Sequence, residues 1–124
     1  MGTLFDSAAD AEIRHESPLS QMGNARTPTL LEFGNAALGG SDTKNGLALF
    51  QTLRHYGVPT RFVRYREIGH RISEASPALQ LDSARRVLDW YWYWVLGDPL
   101  PDLAREFGPR SADQPGTDVS CRLR

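Results

Sequence analysis

Three rhythms of hydrophobic and polar positions follow one another between Thr27 and His70. After the Thr27-Pro28 turn signal, Thr29-Leu30-Leu31-Glu32-Phe33 is a short, almost continuous apolar run. Such a run predicts a strand covered on both faces in a parallel sheet. Glu32 interrupts it, and because an unpaired buried carboxylate is costly, Glu32 must sit at an edge or have a partner. From Asn45 to Tyr56 the residues Leu49, Phe50, Leu53 and Tyr56 recur at three- and four-residue spacing, the stripe of an amphipathic helix. Asp42 or Thr43 can cap its start, Gly57 suits a left-handed C-terminal position, and Pro59 prevents further helix. Thr60 to Tyr65 then predicts a second strand, in which Arg61 and Arg64 point to an edge or a partly covered sheet. Together these segments predict one β-α-β unit. Gly69-His70 follows on the loop past the second strand, where open parallel sheets place their working residues, beyond the carboxyl ends.

The flanking segments carry weaker patterns. Residues 1–26 are polar and irregular, with a short helix expected near 7–15, capped by Asp6 or Ser7, and extended backbone at Ser17-Pro18. Gly34 to Gly40 is a small-residue loop without the lysine and Ser/Thr spacing of a phosphate cradle, so it reads as a turn. Ser76-Pro77 is an N-cap and first-turn pair, opening a helix to about Leu96 with Leu81, Ala84, Leu88, Tyr91 and Val95 on one face. Trp90-Tyr91-Trp92-Tyr93-Trp94 puts aromatics all round this helix, with Trp92 and Tyr93 on the side shared with Arg85 and Asp89. Those rings either lie along the surface or form a contact face for a partner or a second copy of the chain. From Gly97 onward no periodicity survives, which predicts a flexible tail over 97–124 with Cys121 as an incidental exposed thiol.

Composition narrows the classes. A chain of 124 residues allows one domain. Fourteen basic against fifteen acidic residues give no basic patch to favour nucleic acid or an anionic membrane. No run approaches the roughly 20 apolar residues of a membrane span, and Met-Gly-Thr-Leu-Phe-Asp is not a secretory signal. One cysteine excludes an internal disulfide and a cysteine-based zinc site. His15 and His55 share no short ligand spacing with His70 or with each other, and both read as surface residues. The expectation is a soluble, cytoplasmic chain with no cofactor and no metal.

Five segments raise the interest of His70: Ser17-Pro18-Leu19; Arg26-Thr27-Pro28-Thr29-Leu30-Leu31; Leu53-Arg54-His55-Tyr56-Gly57-Val58-Pro59; Tyr65 through Gly69-His70; and Arg86-Val87-Leu88-Asp89-Trp90-Tyr91. In this order they resemble the C-terminal end of the catalytic domain of the prolyl oligopeptidase family of serine peptidases. These are α/β-hydrolase-fold enzymes close to acylaminoacyl peptidases and dipeptidyl peptidases. The likeness covers about residues 3–96. It implies acyl transfer by a serine, a histidine base and an orienting aspartate, the serine first in the chain on a Gly-x-Ser-x-Gly elbow. His70 matches the family's catalytic histidine. The aspartate position, in a pattern like Gly-Glu-x-Asp, falls on Gly34-Asn35-Ala36-Ala37, so Ala37 stands there, unable to accept a hydrogen bond from imidazole. No Gly-x-Ser-x-Gly occurs in the 124 residues, and the elbow would lie upstream of residue 1. Asp42 is a candidate substitute acid as well as a helix cap. Glu67 and Glu74, flanking His70, read as solvated charges.

With two triad members lacking, the chain is expected to be inactive alone: an imidazole without its orienting acid can hold the wrong tautomer, a defect that costs about 10⁴ in rate in a well-studied triad. The fold expectation is α/β, a C-terminal fragment of an α/β-hydrolase fold built as β-α-β plus a C-terminal helix. It divides into an N-terminal segment (1–26), a partial peptidase-like domain (27–96) and the tail (97–124). Two strands are too few for independent stability, and an open sheet edge invites pairing. Homo-oligomerisation, or association with a missing N-terminal catalytic portion, is therefore expected, with a peptide substrate only when so complemented. Two functions remain open: a partial, degenerate serine peptidase, and a non-enzymatic interaction or dimerisation protein using the sheet edge and the aromatic helix. A truncated reading frame without a selected function is a third possibility.

Overall fold

Residues 17–34 and 41–110 are described by the computed structural model, with side chains from Thr43 onward in the second stretch. Thr29–Gly34 (β1) and Thr60–Tyr65 (β2) pair in parallel, in register from Thr29 opposite Thr60 to Gly34 opposite Tyr65. A parallel pair needs a crossover of about a dozen residues or more, and the helix Ser41–His55 (α1) supplies it. The β-α-β unit therefore forms as predicted. β1 runs one residue beyond its predicted end, to Gly34, and β2 has its predicted bounds.

α1 begins at Ser41, four residues before the predicted Asn45. Asp42 and Thr43 thus lie inside its first turn rather than ahead of it as caps. The Thr43 hydroxyl instead donates to the Gly34 carbonyl at 2.9 Å, tying the helix start to the end of β1. At the other end Gly57 takes φ 74, the left-handed conformation its position predicts. α1 covers the face of the sheet that carries Phe33 and Phe62, whose rings stack at 5.5 Å, with Phe50 at 5.6 Å from Phe62. A Cβ on Gly46 would fall 2.4 Å from the Phe33 ring, so only glycine lets α1 approach this closely.

The opposite face carries Pro77–Trp94 (α2) and Pro101–Phe107 (α3). Ser76 caps α2 by accepting from the Leu79 N–H, with Pro77 in the first turn, as predicted. Trp90, Tyr93 and Leu103 form the buried centre on this side, with Leu30, Trp94, Leu100 and Phe107 packed round it. The Phe107 ring meets Trp90 at 5.5 Å and Trp94 at 5.4 Å, edge to face in both cases. Leu30 reaches this cluster while Phe33 packs on α1, so β1 is covered on both faces, as its nearly unbroken apolar run requires.

Two expectations about this half are corrected. The face of α2 carrying Leu81, Leu88, Tyr91 and Val95 points to solvent: Leu88 is 50% and Tyr91 59% exposed, whereas Tyr93, assigned to the polar side, is fully buried. The helix is turned by partners far away in sequence, since Asp82 binds Tyr65 of β2 and the aromatic residues pack on α3. Nor is the segment after Gly97 a flexible tail as far as residue 110. Pro101 opens α3, Leu103 is 2% exposed, and Glu106 pairs with Arg61 of β2. Seven residues make too short a helix for a hydrophobic period to be visible. The C-terminal end is held by Arg110, which stacks 4.8 Å over Trp94 and donates to the Trp94 carbonyl at 3.0 Å.

Within the first segment Pro18–Asn24 forms a 3₁₀ helix, preceded by extended backbone at Ser17. The helix expected at 7–15, His15, Ala37 and Cys121 lie outside the described residues. No helix among the described residues is long and apolar enough to cross a membrane.

Candidate functional site

The carboxyl ends of β1 and β2 bring the residues of interest together. The loop after β2 folds across the end of β1 so tightly that a Cβ on Gly34 would fall 2.0 Å from the Gly69 carbonyl oxygen. Ile68, 3% exposed, anchors this loop in the interior. After His70 the chain turns through a 3₁₀ helix, Ile72–Glu74. The Gln80 side chain of α2 fastens that turn by donating to the carbonyls of Ala75 (2.8 Å) and Ser73 (3.2 Å). His70 is therefore exposed at the tip of a loop fixed on both sides.

His70 borders two concavities. One, of about 420 Å³, lies toward α1 between Phe33, Gly34, Asn45, Leu49 and Gly69. The other, of about 200 Å³, lies toward Tyr65, Ile68 and Ile72. Glu32 contributes to the wall of both. The imidazole thus sits over the end of β1 rather than over the outer side of β2.

Beneath it lies a polar cluster between the sheet and α2. The Tyr65 hydroxyl is 2.9 Å from Asp82 Oδ2 and 3.2 Å from Glu32 Oε1. The Ser83 hydroxyl donates to Glu32 Oε2 at 2.7 Å, and Arg86 Nε donates to Asp82 Oδ2 at 2.7 Å. Glu32 therefore has the partners that its place in an apolar strand demands. Burial, reinforced by the hydrogen bond to Asp82 and the negative charges of Glu32 and Asp82, holds the Tyr65 phenol well above its ordinary range. The Arg86 hydrogen bond, then that of Tyr65, holds Asp82 below the usual carboxylate range. Tyr65 is thus a neutral donor at physiological pH and not a base. This cluster ties α2 to the sheet, and His70 borders the concavities beside it.

Of the residues singled out in the sequence, His70 stands beyond the carboxyl end of β2 as expected. Asp42 has its backbone in the first turn of α1, but its side chain lies outside the described residues, as does the whole of Ala37. His55 is exposed at the end of α1, its ring edge-on to Tyr56 at 5.1 Å. Glu67 is exposed, and Glu74 lies 3.8 Å from Arg71 at the surface. No group of three or more His, Cys, Asp or Glu placed to hold a metal occurs among the described residues. From the sequence, Tyr65 carried no role beyond its strand and the segment leading to His70, and Asp82 and Ser83 went unremarked. The one signal was Glu32, whose need for a partner was legible although the partners, 33 to 51 residues away, were not. Comparison of the chain with protein-family models, curated proteins and solved structures finds no match.

Proposed function

We propose that this chain is the histidine-bearing portion of a serine-type hydrolase of the prolyl oligopeptidase kind, belonging to an α/β-hydrolase sheet and silent on its own. The observation that carries this reading is the position of His70. It stands on a fixed loop past the second of two parallel strands, at the rim of a concavity of about 420 Å³. A general base belongs in such a position, where an acyl substrate fits beside the imidazole. His70 would take the proton of an attacking serine hydroxyl and return it to the leaving group. No Gly-x-Ser-x-Gly elbow occurs in the sequence, so the nucleophile would come from other polypeptide. Asp42 is the acid proposed within this chain. The substrate would be a peptide or acyl ester, turned over only in the completed site.

A serine-directed fluorophosphonate applied to the complex isolated from the source cell tests this. Label is expected on a co-purifying polypeptide bearing a Gly-x-Ser-x-Gly elbow, and His70→Ala in this chain is expected to suppress it. Label that persists undiminished in the variant contradicts the assigned role.

A second reading is a non-enzymatic interaction protein. The exposed apolar row of α2, with Leu81 53% and Tyr91 59% exposed, favours it. Under that reading His70→Ala changes nothing.

A further inference from the structure

Between the outer edge of β1 and α2 runs a groove of about 510 Å³, with Thr29 and Leu30 on one wall and Val87, Tyr91, Trp94 and Val95 on the other. The Thr29 N–H bonds the Pro59 carbonyl of the loop leading into β2, so Thr29, Leu31 and Phe33 direct their backbone groups toward β2. Leu30 and Glu32 then direct theirs outward. Among the described residues β1 has no strand on that outer side. Yet its side chains are those of an interior strand, apolar toward both layers, whereas β2 carries the arginines of an edge.

We infer that this face receives a second copy of the chain. Pairing β1 with β1 of the copy, antiparallel about a two-fold axis through Leu31, joins the two outward edges. The result is one sheet of four strands, past the three or more that give a sheet independent stability. That register sets Glu32 opposite Leu30 of the copy, so the two carboxylates do not oppose each other. Because the axis is perpendicular to the sheet, both α2 helices lie on the same face, and their exposed rows meet across it. Val87, Leu88, Tyr91 and Val95 are 37%, 50%, 59% and 38% exposed, and Leu81 and Leu96 extend the row at 53% and 66%. Apolar patches of roughly 300–600 Å² are the largest on typical monomers and often mark interaction sites, and six exposed apolar side chains stand in this row. A standard stable interface buries about 800 Å² per partner, and here the helix row and the strand edge would contribute to it together. The contact is isologous and closes on itself, leaving the two β2 strands, with their arginines, as the outer edges among the described residues. This inference competes with the acyl-transfer reading, because a larger hydrolase sheet would pair along the same outer edge of β1.

Light scattering on the full-length chain reads the mass directly, and twice the 13.8 kDa chain mass is expected. The double substitution Val87→Glu and Tyr91→Glu, at exposed positions, is expected to give a monomer with an unchanged circular-dichroism spectrum, whereas Arg64→Glu on β2 leaves the dimer intact. If the double variant instead fails to fold, hydrogen exchange on the unmodified chain decides. The amides of Leu30 and Glu32 should become protected as concentration rises through the dimerisation range. A monomeric wild type overturns the inference, as does a dimer indifferent to the double substitution or rapid exchange at Leu30 and Glu32 in the dimer. A one-to-one complex with a different polypeptide on this edge also overturns it, while strengthening the hydrolase reading if that polypeptide carries a serine elbow.

Discussion

The Tyr65 hydroxyl bonds Asp82 Oδ2 at 2.9 Å across the gap between β2 and α2. This contact, with Glu32 and Ser83 beside it, fixes which side of α2 faces the sheet. Tyr65→Phe removes a part-buried donor and leaves two carboxylates facing a ring edge. A loss of about 1–3 kcal/mol in unfolding free energy is expected, the usual penalty for a buried group left without its partner. Denaturant titration of the variant against the parent measures it.

The same cluster sets a pH window. Tyr65 is raised above its ordinary value of 10.0, so its contribution to stability is complete below that pH and is lost as pH rises through the folded-state value. Asp82 is lowered from its ordinary 3.8, so its contribution is present above that pH and is lost as pH falls below it. Thermal melts should therefore show a plateau between these limits. Tyr65→Phe should flatten the alkaline limb and Asp82→Asn the acid limb; a limb unchanged in its own variant would show that other groups govern it.

Gly46→Ala tests the packing of α1 on the sheet. Alanine is favoured over glycine in a helix by about 1 kcal/mol, but the added Cβ would lie 2.4 Å from the Phe33 ring. Overpacking of this kind costs about 1–3 kcal/mol, so the net change is expected to be destabilising by calorimetry.

Gly34→Ala bears on the site itself. Its Cβ would fall 2.0 Å from the Gly69 carbonyl, a backbone atom that cannot swing aside, so the loop carrying His70 must move. Large chemical-shift changes at Gly69 and His70 are expected, with small ones at Trp90 and Tyr93, which pack toward the other end of β1.

Leu103→Ala asks whether α3 belongs to the core. Leu103 is 2% exposed, and its truncation is expected to cost about 2–5 kcal/mol. A mobile tail would register no change.

How much of this was legible in the sequence depended on the range of the interaction. β1, α1 and β2 announce themselves through period and punctuation, and their bounds came out within a few residues. Glu32 declared a need without naming its partners. The buried face of α2 was not legible, because its richest apolar row, Leu81 through Val95, is the row left outside. The side that packs is mixed, with Asp82 and Arg86 serving Tyr65 while Trp90 and Tyr93 serve α3. α3 was hidden by its brevity and by the Gly, Pro and charged residues round it. His70 was placed correctly on its loop from the strand that precedes it, but the shape of the concavity depends on Gly34 and Gly46, whose role is to be small.

The measurement closest to the central claim is ester hydrolysis by the purified chain, alone and mixed with the elbow-bearing polypeptide proposed to complete its site, each with wild type and His70→Ala. The account predicts no turnover above buffer from the chain alone. It predicts turnover in the mixture that falls by about 10²–10⁴-fold when the base is removed. Hydrolysis by the chain alone, or a mixture as active with His70→Ala as without it, would contradict the assignment of His70 as the base of a site completed by another polypeptide.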